Sequence, residues 1–267
     1  MTRLEPRLVA AAKRELEIRR KTLVRLAQAP STQMDPLDRH EIIKYLADGL
    51  RPDRPEDVPS LMKAFLKSCY SYAVLRKFST SILGEIPTPD RMGGLLESIF
   101  AEKSFLEDQT WFPQNLKKVA WSIQQREKYD LTSKQPRPRM VRVMLDGSDQ
   151  MARRLDRGLN SFYESIEQVS ASTPEAMWSF VEEFAKPIYN VGPALICDFV
   201  KEIGFLRFVK VDHHFLHQFP GLLGETQDCS RLSEKKHFML SQQLADAFGI
   251  QPYYLDRILY EWGRYGR

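Results

Sequence analysis

Apolar residues in this chain return every three or four positions almost from end to end, and the strict apolar–polar alternation of a half-buried strand is scarce. That period leaves little choice of architecture. Helices must bury their apolar faces against one another, so the expected fold class is all-α. Leu4, Leu8, Ala12, Leu16, Leu23 and Leu26 form one stripe of a long first helix, with Arg14, Arg19, Arg20, Lys21 and Arg25 largely off it. The turn APSTQMDPLD follows, and Asp38 is placed to cap a helix over HEIIKYLADGL. A third helix is predicted from Val58 to Leu83, carrying Leu61, Phe65, Leu66, Tyr70, Ala73 and Val74. The segment IPTPD breaks it, and Asp90 is a candidate start for the next helix.

In the middle of the chain a helix is predicted from Asn115 to Lys128. The polar, basic and proline-rich stretch LTSKQPRPR (131–139) reads as a loop or linker. A helix from Ser148 to Val169 follows, with Arg153, Arg154 and Arg157 near its start. Thr173 suits an N-cap and Pro174 the first position of a helix that continues through Phe184. No internal repeat and no Gly-rich phosphate loop occurs. The expected organisation is an N-terminal helical extension over 1–85 and a helical domain over 86–267.

Composition narrows the function classes. Hydrophobic residues make up 43% and charged residues 28%, an ordinary globular balance that argues against disorder. Three separated cysteines, Cys69, Cys197 and Cys229, cannot supply a disulfide framework, a CxxC zinc site or the four thiolates of an iron–sulfur cluster. No run approaches 18 consecutive apolar residues, so no membrane span is expected. MTRLEPRLVAAAKRELEIRR is charged throughout and lacks a signal peptide's apolar region; the expected location is cytoplasmic or nucleoid-associated, not secreted. The net charge of +4 is compatible with a polyanion partner without demanding one.

The most informative run is AKPIYNVGPALICDFVKEIGFLRFVKVDHHFLHQFPG (185–221). Its first part reads as two helices joined by a tight hairpin. Pro187 stops the first helix, Asn190 tolerates a left-handed backbone, Gly192 keeps side chains out of the turn, and Pro193 suits the head of the second helix. That second helix carries Leu195, Ile196, Phe199 and Val200, and Gly204 can end it. Such a turn offers backbone N–H groups and the positive end of a helix dipole to a phosphate oxygen. A plain αα-hairpin in a bundle has the same grammar.

The segment resembles the helix-hairpin-helix DNA glycosylase superfamily, which includes endonuclease III-like and alkyladenine glycosylases. Family hairpins read roughly L-P-G-V-G, followed by a helix and an apolar connector ending in an essential aspartate. Here the hairpin is Ile188-Tyr189-Asn190-Val191-Gly192, the connector Phe208-Val209-Lys210-Val211, and the aspartate Asp212. The resemblance implies a glycosylase-like helical bundle that grips duplex DNA, flips a modified base and cleaves its N-glycosidic bond. It implies Ile188, Asn190, Val191, Gly192, Pro193 and Ala194 as the phosphate-binding hairpin, with a monovalent cation between its carbonyls and the phosphate. Asp212 would be the catalytic carboxylate, stabilising positive charge on the sugar and orienting water. Bifunctional members carry a lysine two residues after the last hairpin glycine; Ala194 stands there, and neither Lys201 nor Lys210 matches. The expectation is therefore a monofunctional glycosylase without lyase chemistry, with no cofactor required for catalysis and no iron–sulfur cluster.

Other readings stand beside this one. Asp212 also suits an N-cap for HHFLHQF. His213 and His217 share a helical face as paired zinc ligands do, but a third ligand is wanting, so no metal is expected; His213 and His214 are instead candidate DNA contacts. Arg137, Arg139, Arg142, Arg153, Arg154 and Arg157 form a basic region, with Arg153 and Arg154 taken as DNA-binding candidates against the alternative of a solvated face. Trp111, Trp121, Trp178 and Trp262 can stack a flipped base, although core packing is the commoner use of tryptophan. Cys197 reads as a buried inert thiol. The alternatives for the whole are a catalytically inactive DNA-binding module of the same fold and a helical scaffold without nucleic acid.

Overall fold

A computed structural model describes residues 5–30, 34–69, 112–133, 136–223 and 232–266. Among the described residues the chain is helical and contains no strand. The helices are α1 (Pro6–Gln28), α2 (Pro36–Ile42, widening into a π turn over Ile43–Ala47), α3 (Val58–Cys69), α4 (Phe112–Glu127), α5 (Pro136–Arg154), α6 (Leu159–Ser170), α7 (Pro174–Ala185), α8 (Pro193–Glu202), α9 (His213–Leu222), α10 (Glu234–Phe248) and α11 (Pro252–Tyr265). The expectations for Leu4, Tyr70, Ala73, Val74, Leu83, Asp90, Trp111 and Cys229 lie outside the described residues.

The chain divides into two compact units, interleaved in sequence. One comprises 1–53, 172–178 and 204–267; the other comprises 54–171 and 179–203.

In the first unit α1 buries Ala12, Leu16, Leu23 and Ala27 along one side. Arg19 lies on that side too, although its charge places it off the apolar stripe. Its guanidinium bonds Glu15 at 2.9 Å and sits over Trp262, 5.4 Å from the ring centroid. The aliphatic stem and flat head let arginine take such a place. Arg20 joins α1 to the π turn by donating to the Leu46 carbonyl at 2.8 Å. Trp178 and Phe208 both pack on Phe238, and Phe215 stacks on Phe219. The Gln242 amide donates to the Arg207 carbonyl at 2.8 Å, and the Tyr253 N–H to Leu206 at 2.9 Å.

Asp38 does not cap α2. Pro36 opens that helix, and Asp38, within its first turn, binds Arg264 and the Tyr265 hydroxyl. Asp38, Glu41 and Glu261 bring carboxylate oxygens within 4.8 Å of one another. Arg264 and Arg257 meet them: Arg257 pairs with Glu41 and lies 3.0 Å from Glu261, while Arg264 lies 2.6 Å from Asp38 and 3.9 Å from Glu261. Two guanidiniums among three carboxylates make this an ion-pair cluster joining α2 to α11.

The second unit is built around aromatic rings. Phe65 stacks on Phe184 at 6.2 Å and meets Phe199 edge-on at 5.3 Å; Phe162 stacks on Phe199 at 6.5 Å. All four are fully buried. Helix α4 packs along α5, and α3 packs on α8. The proline-rich stretch is not wholly a linker. Helix α5 begins at Pro136 and runs through Pro138 and Arg139. Both prolines fall in its first turn, where N–H groups have no helical partner to lose. The single helix expected from Ser148 to Val169 is instead the end of α5 and the whole of α6, parted at Gly158, whose φ of +88° leaves helical space.

Gly147 is closely approached by Phe65. A Cβ there would lie 2.5 Å from Phe65 Cε1 and 3.0 Å from Cζ, and the neighbouring rings leave Phe65 no room to turn. Gly147→Ala is expected to destabilise the protein by about 1–3 kcal/mol despite alanine's better helix propensity, measured as a lower urea midpoint. A second expectation concerns pH. Burial pushes the Glu261 carboxyl up to about 7 against the pull of Arg257 and Arg264. An acid with a raised folded pKa stabilises below its unfolded value of 4.5, and that contribution is lost as pH rises through 7. Relative to Glu261→Gln, the wild type should therefore lose on the order of 2 kcal/mol between pH 5 and pH 8, read from paired denaturant titrations.

Candidate functional site

The hairpin between α7 and α8 lies in the second unit. The Ile188 N–H bonds the Ala185 carbonyl at 2.9 Å, and the Val191 N–H bonds Ile188 at 3.2 Å, closing the turn. Asn190 adopts φ +58°, the left-handed conformation its short polar side chain tolerates. Gly192 is the N-cap of α8 at φ −95°, ψ 170°, and Pro193 is its first residue. Gly192's conformation is open to any residue, and a Cβ added to it would meet nothing within 4 Å. Neither strain nor crowding inside the protein requires glycine there. The N–H groups of Gly192 and Ala194 have no acceptor among the described residues, and the positive end of the α8 dipole lies beside them.

Helix α5 holds the hairpin in place. The Asp146 Oδ2 atom accepts from the Tyr189 N–H at 3.1 Å and from Arg142 Nε at 2.8 Å. The Tyr189 hydroxyl donates to the Thr132 carbonyl at 2.9 Å, and Arg142 lies 5.7 Å from the Tyr189 ring centroid. Arg139 Nη2 donates to the Asn190 carbonyl at 3.0 Å. Asp146 was not foreseen as a partner of the turn. Its signal was available: Arg139, Arg142 and Asp146 are spaced i, i+3, i+7, but they face together only if α5 starts inside the proline-rich stretch.

Two hairpin carbonyls that could face a monovalent cation already accept protein donors. The Ile188 carbonyl accepts the Val191 N–H, and the Asn190 carbonyl faces the Arg139 guanidinium. A cation supplied by the chain repels a second one at the same oxygen.

Asp212 lies in the first unit as the N-cap of α9. Its Oδ1 accepts from the Phe215 N–H at 3.1 Å, and its Oδ2 lies 3.7 Å from Lys210 Nζ. The side chain is 23% exposed, so this carboxylate is held in one orientation but still reached by solvent. The Lys210 backbone N–H points at Asp256 Oδ2, 3.5 Å away. His213 and His214 form the first turn of α9, but their side chains lie outside the described residues; His217 is exposed.

The remaining candidates are dispersed. Arg153 is exposed at the end of α5 and donates to the Asp149 carbonyl at 3.2 Å. Arg154 turns inward, its guanidinium 4.2 Å from the Phe184 ring centroid and 4.7 Å from that of Phe180. Burial there pulls its pKa below the usual arginine value. Trp178 is buried, Trp121 is 47% exposed, and Trp262 lies under Arg19. Cys197 is buried. Lys201 is buried beside Asp198 at 3.3 Å and Glu202 at 3.7 Å.

No family model, no curated protein and no solved structure matches this chain. No described helix is long and apolar enough to cross a membrane.

Because Gly192 is unstrained and uncrowded, Gly192→Asp should fold normally. Thermal denaturation should show stability unchanged or raised by a few tenths of a kcal/mol, since aspartate is a favoured N-cap.

Proposed function

We propose that the chain is a monofunctional DNA glycosylase of the helix-hairpin-helix type. In this reading the 188–194 hairpin binds a phosphate of duplex DNA. Asp212 acts on an extruded nucleoside. The observation that carries the reading is the head of α8, where, among the described residues, two N–H groups lack an acceptor and the space over Gly192 is open to a phosphate oxygen. Arg139 and Arg142 add positive charge beside it.

Breaking the glycosidic bond moves its electron pair onto the departing base and leaves positive charge on the sugar. An oriented carboxylate next to that sugar lowers the barrier electrostatically, and it can accept a proton from the attacking water. The fixed Oδ1 of Asp212 supplies the orientation, and the partial exposure supplies access. Ala194 leaves the hairpin without a lysine nucleophile, so the product is an abasic site with an intact strand.

One observation favours the alternative, a DNA-binding module without excision: both Asp212 oxygens already have partners, the Phe215 N–H and Lys210. Asp212→Asn separates the two readings, because asparagine caps a helix as well as aspartate does. On duplexes carrying deaminated, alkylated, oxidised or hypermodified bases, the wild type should release base. Asp212→Asn should bind with unchanged affinity and release base at least 100-fold more slowly. Gly192→Asp should bind DNA at least tenfold more weakly. Binding without Asp212-dependent release on any substrate would leave the binding-module reading in place.

A further inference from the structure

Helix α1 carries seven basic and two acidic side chains, a larger positive excess than the whole chain's net +4. The rest of the protein is thus close to neutral in sum; α5 carries five basic and two acidic side chains, and α1 has the largest positive excess of the described helices. Within α1 the basic side chains are concentrated again. At about 100° per residue, Arg7, Arg14, Lys21 and Arg25 fall within an arc of about 40°. The buried positions Ala12, Leu16, Leu23 and Ala27 point to the opposite side. All four cations are exposed. Arg7, Arg14 and Arg25 have no carboxylate partner among the described residues, and Lys21, 66% exposed, shares Glu17 with Arg20.

We propose that this outward stripe, Arg7–Arg14–Lys21–Arg25, is a second nucleic-acid contact that binds the phosphate backbone of duplex DNA without regard to sequence. The choice of duplex DNA as partner rests on the function proposed above. The stripe runs about 27 Å along the helix axis, and the same length of duplex carries about 16 phosphates. A straight row of cations on a rigid helix suits a polymer whose charge repeats along its length. A lipid surface suits it less. An interfacial helix needs a broad apolar face to insert, whereas the apolar side of α1 is buried in its own unit and its exposed large hydrophobics among the described residues are Ile18 and Leu26.

The test compares the salt dependence of binding by the full chain to a mixed-sequence duplex of about 20 base pairs, using fluorescence anisotropy. The wild type is set against Arg7→Gln/Arg14→Gln/Arg25→Gln. It is also set against a control with the same charge loss at exposed positions elsewhere, Arg51→Gln/Lys67→Gln/Lys235→Gln. The slope of log K against log salt should flatten by about 2–3 in the stripe variant and by less than about 1 in the control. Thermal midpoints of both variants should match the wild type, because none of the replaced residues has a side-chain partner among the described residues. Equal slopes for wild type and stripe variant overturn the proposal, as do equal losses in stripe and control variants. Stripe-dependent binding to phosphatidylserine vesicles without binding to duplex overturns it in favour of a membrane. The two readings fail separately. Base release with an unchanged slope removes the stripe alone, and a stripe-dependent slope without Asp212-dependent release removes the excision reading alone.

Discussion

Asp146 receives two donors on one oxygen, the Tyr189 N–H and the Arg142 guanidinium, and the bend between α7 and α8 keeps its shape through that convergence. A four-residue turn with a left-handed asparagine has few internal bonds of its own. Its geometry is therefore borrowed from α5, which also sends Arg139 to the Asn190 carbonyl. Helix α5 is itself fixed at Gly147, where Phe65 fills the space a side chain would need. The line of dependence runs from the buried phenylalanines through α5 to the head of α8.

Asp212 follows a different logic. Its carboxylate does structural work at α9 whatever else it does, which makes an aspartate there explicable without chemistry. The cap also creates what a catalytic carboxylate requires, a single orientation held without a dedicated supporting side chain. The cap uses Oδ1, and Oδ2 lies beside Lys210.

Much of the local structure was legible in the residues. The caps Thr173 and Asp212, the Pro193 helix start, the left-handed Asn190 and the helix end at Gly204 all appear where their conformational preferences place them. These are features decided within three or four residues of chain. The failures share a different cause. Pro136 and Pro138 read as loop because a proline's effect depends on how far it stands from the helix start. Arg19 and Arg154 read as surface because the rings that accept them, Trp262 and Phe184, come from remote parts of the chain. Asp38 read as a cap because its partners Arg264 and Tyr265 lie more than two hundred residues away. Asp146, the support of the bend, was hidden by the proline error, since its spacing with Arg139 and Arg142 reads as one face only once α5 is wound from Pro136.

The guanidinium at the Asn190 carbonyl is covalently part of the protein. A bound alkali ion exchanges with the medium, so any grip that relies on one follows the ionic composition around it. Arg139 cannot diffuse away. Its charge is carried to the bend by the winding of α5 itself, so the electrostatics of the turn are tied to the folding of that helix.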